Sequence, residues 1–376
     1  MMTMRERVVV AMSGGVDSSL AAALLVEAGA DVIGVSMRLW EAEDAATASG
    51  CCSLDDFLDA RRVAEQLRIP FYVMDYRAEF ERDVIAPFVD DYRAGRTPNP
   101  CARCNQFVKF GSFWERAGAL GATAIATGHY ARVRAGADGP MLTRGVDPEK
   151  DQSYFLFGID RDVLAHVRFP VGELRKADVR AEAARRGLAV ADKPDSQEVC
   201  FAPRREHVAF VAQRPSTRPL RAGVVVDETG AVLARHDGLH GFTIGQRRGL
   251  GVRGGPARYV TGIDAERGIV WVGSEAEILA WGLTASAPNW LAPIPAPGRR
   301  LQMKIRSRSE AHAVRVTAAG PAGFEVASDD ALRAVSPGQA AVLYDGDQVI
   351  GGGWIVAPAA SRTDAGGCQA GDGMVA

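Results

Sequence analysis

From Arg7 to about Ala191 the apolar positions alternate between two rhythms. Val8 to Met12, Val32 to Met37, Phe71 to Met74 and Thr123 to Thr127 are short, nearly continuous apolar runs, the signature of strands buried on both faces. Leu20 to Ala28, Phe57 to Leu67 and Lys176 to Arg186 carry helical spacing, and Gly187 supplies a C-cap to the last of them. Strands and helices in that alternation predict an α/β fold, with a parallel sheet covered by helices on both faces. After about Pro203 the rhythm changes to short runs such as Gly223 to Val226 and Gly268 to Val272 between Gly-rich turns, which predicts a small β-domain. The proline-rich stretch Ala287 to Pro297 reads as a linker, and β-like runs from Leu301 to Ile355 predict a second β-domain or barrel. The expected division is a catalytic domain over 1–203, a central β-rich domain over 204–284, a C-terminal β-barrel-like domain over 285–358 and a disordered tail over 359–376.

Length and composition agree with several domains: 376 residues exceed one ordinary core, and 47% hydrophobic with 24% charged residues is a globular balance. No apolar run reaches the length of a membrane span, and Met1 to Gly15 has no secretory h-region, so a cytoplasmic protein is expected. A net charge of −2 gives no global basic footprint, so RNA contact would rest on local patches such as Gln246-Arg247-Arg248 and Lys304 to Arg308. Six cysteines in so long a chain point to catalytic, metal-binding or inert roles in a reducing compartment rather than to a disulfide framework.

Ser13-Gly14-Gly15-Val16-Asp17-Ser18-Ser19 lies between the first strand and a helix expected to start near Leu20. Glycines that let backbone N–H groups approach, three hydroxyls and a helix N-terminus make a phosphate site. The Gly-Lys-Ser/Thr ending of a Walker A loop is missing. The segment resembles the pyrophosphate loop of the N-type ATP pyrophosphatases, which cleave ATP to AMP and pyrophosphate. That resemblance gives Ala11, Met12, Ser13, Gly14, Gly15, Val16, Asp17 and Ser18 to ATP, Asp17 also to Mg2+, and puts Met37 beside adenine. On its own terms the stretch could be a plain Gly-Ser turn, and Met37 a core methionine.

Asn99-Pro100-Cys101-Ala102-Arg103-Cys104-Asn105 reads as a turn-like loop and Asp195 to Phe201, with Cys200, as irregular, so both thiols are expected to be accessible. A persulfide carrier and a resolving thiol are the equipment of sulfur transfer, and Arg103 beside Cys104 favours a thiolate. Three other readings compete. A zinc site lacks a second ligand pair. A [4Fe-4S] cluster would use Cys101, Cys104 and Cys200 with one open iron position. Buried inert thiols fit poorly with the Pro and Arg flanks. Cys51 and Cys52 read as structural, and Cys368 as incidental.

Taken together, Ala11 to Ser18, Thr97-Pro98-Asn99-Pro100, Cys104-Asn105, Lys109-Phe110-Gly111, Ala126-Thr127-Gly128-His129-Tyr130, Lys150 to Tyr154, Asp195-Ser196, Cys200-Phe201, Thr243 to Arg247 and Pro337-Gly338-Gln339 resemble the tRNA-specific 2-thiouridylases (the MnmA family) over nearly the whole chain. The resemblance implies an adenine nucleotide alpha hydrolase-like domain, adenylation of the wobble uridine 2-oxygen, and sulfur transfer from a persulfide on Cys200 with Cys104 as the nucleophile that forms a transient disulfide with it. Gly128 would line the ATP site. Asn99, Pro100, Cys101, His129, Lys150, Asp151, Gln152, Arg306, Ser307 and Gln339 would touch tRNA, with the tRNAs for Lys, Glu and Gln as substrates and a cysteine desulfurase or sulfur-relay protein as partner. Without the resemblance, Lys150-Asp151 reads as a solvated surface pair and His129 as a hydrogen-bonded structural histidine. Two positions depart from the family: Cys101 stands where many members carry Asp, and Ser307 follows Arg306 where an aromatic is usual. Other ATP pyrophosphatases, such as a tRNA-lysidine synthetase or a GMP-synthetase-like amidotransferase, share the loop without the two thiols. A non-catalytic RNA-binding or iron-sulfur carrier protein is the rival from another class.

Overall fold

The computed structural model describes residues 5–40, 54–194, 199–202 and 207–359. Cys51, Cys52, Cys368, the segment Asp195 to Glu198 and the expected tail beyond Ala359 lie outside the described residues.

Strands β1 (Arg7–Ala11), β2 (Asp31–Arg38), β3 (Phe71–Asp75), β4 (Ala124–Ala126) and, after a hairpin of β5 (Ala131–Gly136) and β6 (Gly139–Arg144), β7 (Val167–Arg168) supply a parallel sheet in the order β3-β2-β1-β4-β7. Successive side chains of a strand point to opposite faces. Val8, Val10 and Met12 accordingly enter one core, and Val9 and Ala11 another. Helix α1 (Val16–Glu27), helix α2 (Leu54–Leu67) and the helix Lys176–Arg185 cover the first face through Leu20, Ala60, Val63, Val179 and Ala183. Gly187, at φ 64°, ends the last of these as expected.

The central sheet runs β10-β11-β8-β9, formed by β8 (Gly223–Val226), β9 (Val232–His236), β10 (Tyr259–Asp264) and β11 (Ile269–Gly273). The third sheet comprises β12 (Leu279–Trp290), β13 (Arg300–Lys304), β14 (His312–Ala319), β15 (Gly323–Arg333), β16 (Ala340–Asp345) and β17 (Gln348–Pro358). Pairing of β12 with β17 closes these six strands into a barrel, which removes exposed sheet edges. The expected linker Ala287 to Pro297 is therefore strand as far as Trp290, because Asn289 and Trp290 pair with Gly352 and Gly351. No break in secondary structure occurs at 284/285.

Barrel and parallel sheet are joined more closely than the sequence rhythm indicates. The β5–β6 hairpin extends the barrel sheet through Thr143 opposite Gln348. Leu291, Ala340, Val342, Tyr344 and Val349 belong to the same core cluster as Val9, Val35 and Phe80. Asn289 Nδ2 donates to the carbonyls of Phe157 and Ile159, both at 2.7 Å. The second face of the parallel sheet is thus sealed partly by another domain.

Candidate active site

The turn after β1 is built to hold itself open. Helix α1 begins at Val16, not near Leu20, so Asp17, Ser18 and Ser19 form its first turn. Gly15 is the N-cap and has no side chain to satisfy the first N–H groups, which leaves them for an anion. Gly14 adopts φ 73°, and a Cβ there would lie 2.2 Å from the carbonyl oxygen of Asp56, so packing against α2 also demands glycine. The three hydroxyls take different parts. Ser18 Oγ accepts from Ser13 N at 3.1 Å and donates to Gly15 O at 3.2 Å, stapling the turn. Ser19 is fully buried and its hydroxyl has no partner among the described residues. Ser13 is the exposed one.

Asp17 projects from this first turn with its side chain 31% exposed. Lys176 Nζ donates to both its oxygens, at 2.7 and 2.9 Å, and the Tyr130 hydroxyl donates to Oδ1 at 2.6 Å. Neither residue stood out in the sequence as a partner of Asp17: Lys176 reads there only as a helix start, and Tyr130 only as the end of a motif. Gly128, just past the end of β4, packs against the turn, where a Cβ would come within 2.5 Å of Ser18 N. Met37 lies near the end of β2, half-buried against the core that contains Ala11.

The cysteine segment is helical, not a turn-like loop. Asn99 Oδ1 caps the helix Pro100–Arg103 by accepting from Ala102 N at 3.2 Å, and Cys104–Ser112 continues it as a π-helix, a form that often marks functional sites. Cys101 is exposed, Cys200 half-buried and Cys104 buried, so the expected access to both thiols fails for Cys104. The Arg103 guanidinium lies on the Asp83 carbonyl at 2.8 Å and over the Phe107 ring at 5.0 Å, and burial holds its pKa below the usual value. No disulfide joins the described cysteines. Nor does any set of three His, Cys, Asp or Glu side chains among the described residues gather to hold a metal ion, so the structure gives no support to a [4Fe-4S] cluster on Cys101, Cys104 and Cys200.

What Cys104 and Cys200 share is a core. Cys104 is part of the cluster that contains Ala11, and Cys200 packs against it. Phe201 pins the Cys200 segment there, edge-on to Phe80 and Phe88 at 5.5 and 5.0 Å between ring centres.

The residues expected to face RNA divide into two groups. His129 is packed among Phe110 and Phe169, and its Nδ1 lies 2.6 Å from Thr127 Oγ1. Burial, with Lys109 nearby, drives its pKa well below 6.5, so it is neutral. Asp151 is not a solvated surface charge: its side chain is 5% exposed, and it accepts from Gly145 N at 3.2 Å, Ser153 N at 3.1 Å and Ser153 Oγ at 3.0 Å. Gln152 Oε1 accepts from Tyr130 N at 2.9 Å. The second group surrounds a cavity of about 420 Å3 where all three sheets' domains meet, lined by Thr97, Thr243, Ile244, Gly245, Gln246, Arg306, Ser336 and Gln339. Gln339 Nε2 donates to the carbonyls of Thr97 and Pro98 at 3.2 and 2.9 Å, and Arg306 Nη2 to that of Ala334 at 2.8 Å. Lys304, buried beneath, donates to the Ser307 carbonyl at 2.6 Å, and burial lowers its pKa. Arg306 and Gln339 therefore stand on one junction, with Thr243 to Gln246 as its third wall, whereas Ser307 does not line the cavity.

A parallel α/β sheet with a phosphate cradle at the carboxyl end of its first strand, carrying two β-domains, defines a nucleotide-binding enzyme of the HUP class. Family models match throughout: a tRNA methyl transferase HUP domain over residues 6–204, a tRNA methyl transferase PRC-barrel domain over 209–274 and an aminomethyltransferase beta-barrel domain over 281–355. The tRNA-specific 2-thiouridylase MnmA of Geotalea uraniireducens is 50% identical over 357 residues, covering 93% of this chain and 95% of that one. Its counterpart in Mycolicibacterium smegmatis is 49% identical over 355 residues, covering 92% of this chain and 98% of its own. The chain belongs to the tRNA-specific 2-thiouridylase family. A solved 4-thiouridine synthetase in complex with RNA and ATP is similar at 17% identity and a TM-score of 0.37, over 57% of this chain and 47% of that one, too partial a likeness to carry an argument. No helix among the described residues is long and apolar enough to cross a membrane.

Proposed function

We propose that this chain is a sulfurtransferase that replaces the 2-oxygen of the tRNA wobble uridine with sulfur at the expense of ATP. The observation that carries the reading is the shared core: two cysteines far apart in sequence lie against one cluster that also holds Ala11, the residue from which the phosphate loop departs. In the reaction, the uridine O2 attacks the α-phosphorus of ATP, pyrophosphate leaves, and the poor leaving group becomes an adenylate. The N–H groups of Gly15 and the first turn of α1 receive the phosphates, with Ser13 beside them. Asp17 would hold Mg2+ beside the phosphates, exchanging its contact with Lys176 for the ion, and the ion would supply charge neutralisation there. The terminal sulfur of a Cys200 persulfide then attacks C2, and AMP departs. Cys104 attacks the Cys200 sulfur, releasing 2-thiouridine and forming a Cys104–Cys200 disulfide. An external thiol returns the pair to its reduced form, taking the oxidation on itself.

Burial of Cys104 suits a thiol used only after the base has entered, because an exposed resolving thiol would discharge the persulfide early. The wobble base must leave its stack to reach such a site. Arg306, Ser307 and Gln339, together with Asn99, Pro100, Cys101, His129 and the Lys150–Gln152 loop, are the residues that the family's pattern assigns to the anticodon arm, of which Asn99, Pro100 and the Asp151 side chain are buried before it binds. On the family's pattern the substrates are the tRNAs for Lys, Glu and Gln, the sulfur comes from a cysteine desulfurase or relay protein, and the site of action is the cytoplasm.

The test is mass spectrometry of nucleosides from unmodified tRNA incubated with enzyme, MgATP and a persulfide donor. Wild type makes 2-thiouridine at the wobble position, and Cys200→Ser makes none. Absence of thiolation by wild type with a competent donor would remove the proposal.

A further inference from the structure

Asp17 in the phosphate loop and the Lys150–Gln152 loop are distant in sequence, yet one residue touches both. Tyr130 is 2% exposed. Its hydroxyl donates to Asp17 Oδ1 at 2.6 Å, a charge-assisted bond. Its backbone is tied twice to Gln152: Tyr130 N donates to Gln152 Oε1, and Gln152 N donates to the Tyr130 carbonyl, each at 2.9 Å. The same carbonyl is crowded by Gly145, where a Cβ would approach it to 2.9 Å, and Gly145 N is in turn held by Asp151. The loop cannot shift without moving the Tyr130 backbone.

The chemistry of the Gln152 amide follows from these bonds. A backbone N–H only donates, so the oxygen of the amide is fixed inward and its NH2 is the end left for a ligand. Gln152 thereby offers a donor to an acceptor group: a phosphate oxygen, a ribose hydroxyl or a base carbonyl. An RNA acceptor taken by that NH2 acts on a loop linked through Tyr130 to the carboxylate that Lys176 also holds.

We infer that Tyr130 is a positioning residue that couples RNA binding at the Lys150–Gln152 loop to the setting of Asp17 for ATP. The inference rests on the 2-thiouridylase reading and adds to it a residue and a dependence. Thermodynamic linkage makes the coupling reciprocal: RNA tightens ATP binding by the factor by which ATP tightens RNA binding.

The experiment compares wild type with Tyr130→Phe, which keeps the ring and removes the hydroxyl. Dissociation constants for a non-hydrolysable Mg-ATP analogue are measured with and without saturating unmodified tRNA transcript, alongside KM for ATP and kcat for AMP formation. In wild type the transcript tightens analogue binding by about fivefold or more. In Tyr130→Phe the thermal midpoint and tRNA affinity without nucleotide are kept, the tRNA effect drops below about twofold, and KM for ATP rises more than kcat falls. Gln152→Leu, which removes the side-chain bond to Tyr130 N and leaves the backbone bond from Gln152 N to the Tyr130 carbonyl, weakens the tRNA effect at saturating tRNA as well and decides the matter should Tyr130→Phe melt early. Equal coupling in wild type and variants, or no coupling in wild type, overturns the inference. Thiolation of tRNA by the same wild-type preparation is scored in parallel with MgATP and a persulfide donor: its presence with coupling absent removes the inference alone, whereas its absence removes the functional reading.

Discussion

The phosphate loop and the thiol pair depart from the same core but stand in different states of readiness. Asp17 is partly exposed and already held by Lys176 and Tyr130, Ser18 staples the turn, and the first N–H groups of α1 have no side-chain cap. Cys104, by contrast, is sealed inside the cluster, and Cys200 is half-buried beside ring-packed Phe201. In the proposed reaction, a preorganised nucleotide half keeps the reorganisation cost out of the adenylation step. The sulfur half would have to open to admit a donor and a base. Separate steps of that reaction would thus have separate degrees of order.

That contrast can be broken in descending order of effect. Cys200→Ser should lower thiolation by at least about 1,000-fold in single-turnover assays while leaving ATP affinity within about twofold. Equal damage to both would mean that the halves are not separable. Phe201→Ala removes a buried ring from the thiol side and should cost about 3–5 kcal/mol of stability in denaturant titration. Gly128→Ala drives a Cβ into Ser18 N and Asp17, and should raise KM for ATP by about 100-fold, as a misplacement near 1 Å does. An unchanged KM would show that the cradle yields. Lys176→Met leaves the Asp17 carboxylate without its cation. Because that carboxylate is partly exposed, the expected loss is about tenfold in ATP affinity by calorimetry rather than that of a fully buried pair.

The smallest effect is on pH. His129 is held neutral in the fold by burial and by Lys109, and burial also lowers the pKa values of His207, His236 and His240. Below about 6.5 these side chains take up protons on unfolding, so the unfolded chain binds more protons and stability falls as pH drops. For His129 the slope approaches about 1.4 kcal/mol per pH unit below that point and vanishes above it. Thermal midpoints between pH 7.5 and 5.5 should show this decline, and His129→Gln should flatten part of it.

The parallel sheet was legible because buried strands and amphipathic helices have distinct periods, and the loop because glycines, hydroxyls and a helix start occur together in few other contexts. The helical form of Asn99 to Ser112 was masked by Pro100, which signals a turn in sequence yet fits the first turn of a helix capped by Asn99. Burial of Cys104 was hidden for a related reason: Pro and Arg flanks describe neighbours on the helix, not the face on which the thiol lies. The run beyond Ala287 looked like a linker because Pro288 interrupts it, but β12 accommodates it where its register with β17 shifts between Ser286 and Asn289. Lys176, Tyr130 and the Gln339–Thr97 contact connect residues far apart in the chain, and no local pattern announces such pairs.

In the proposed reaction, activation at the nucleotide half precedes displacement at the sulfur half. A tRNA transcript carrying 18O at the uridine 2-position, incubated with enzyme, MgATP and persulfide donor, tests it by the fate of the label. Adenylation of that oxygen predicts 18O in the recovered AMP, one atom for each 2-thiouridine formed. Thiolated tRNA accompanied by unlabelled AMP, with the oxygen released to water, would contradict it.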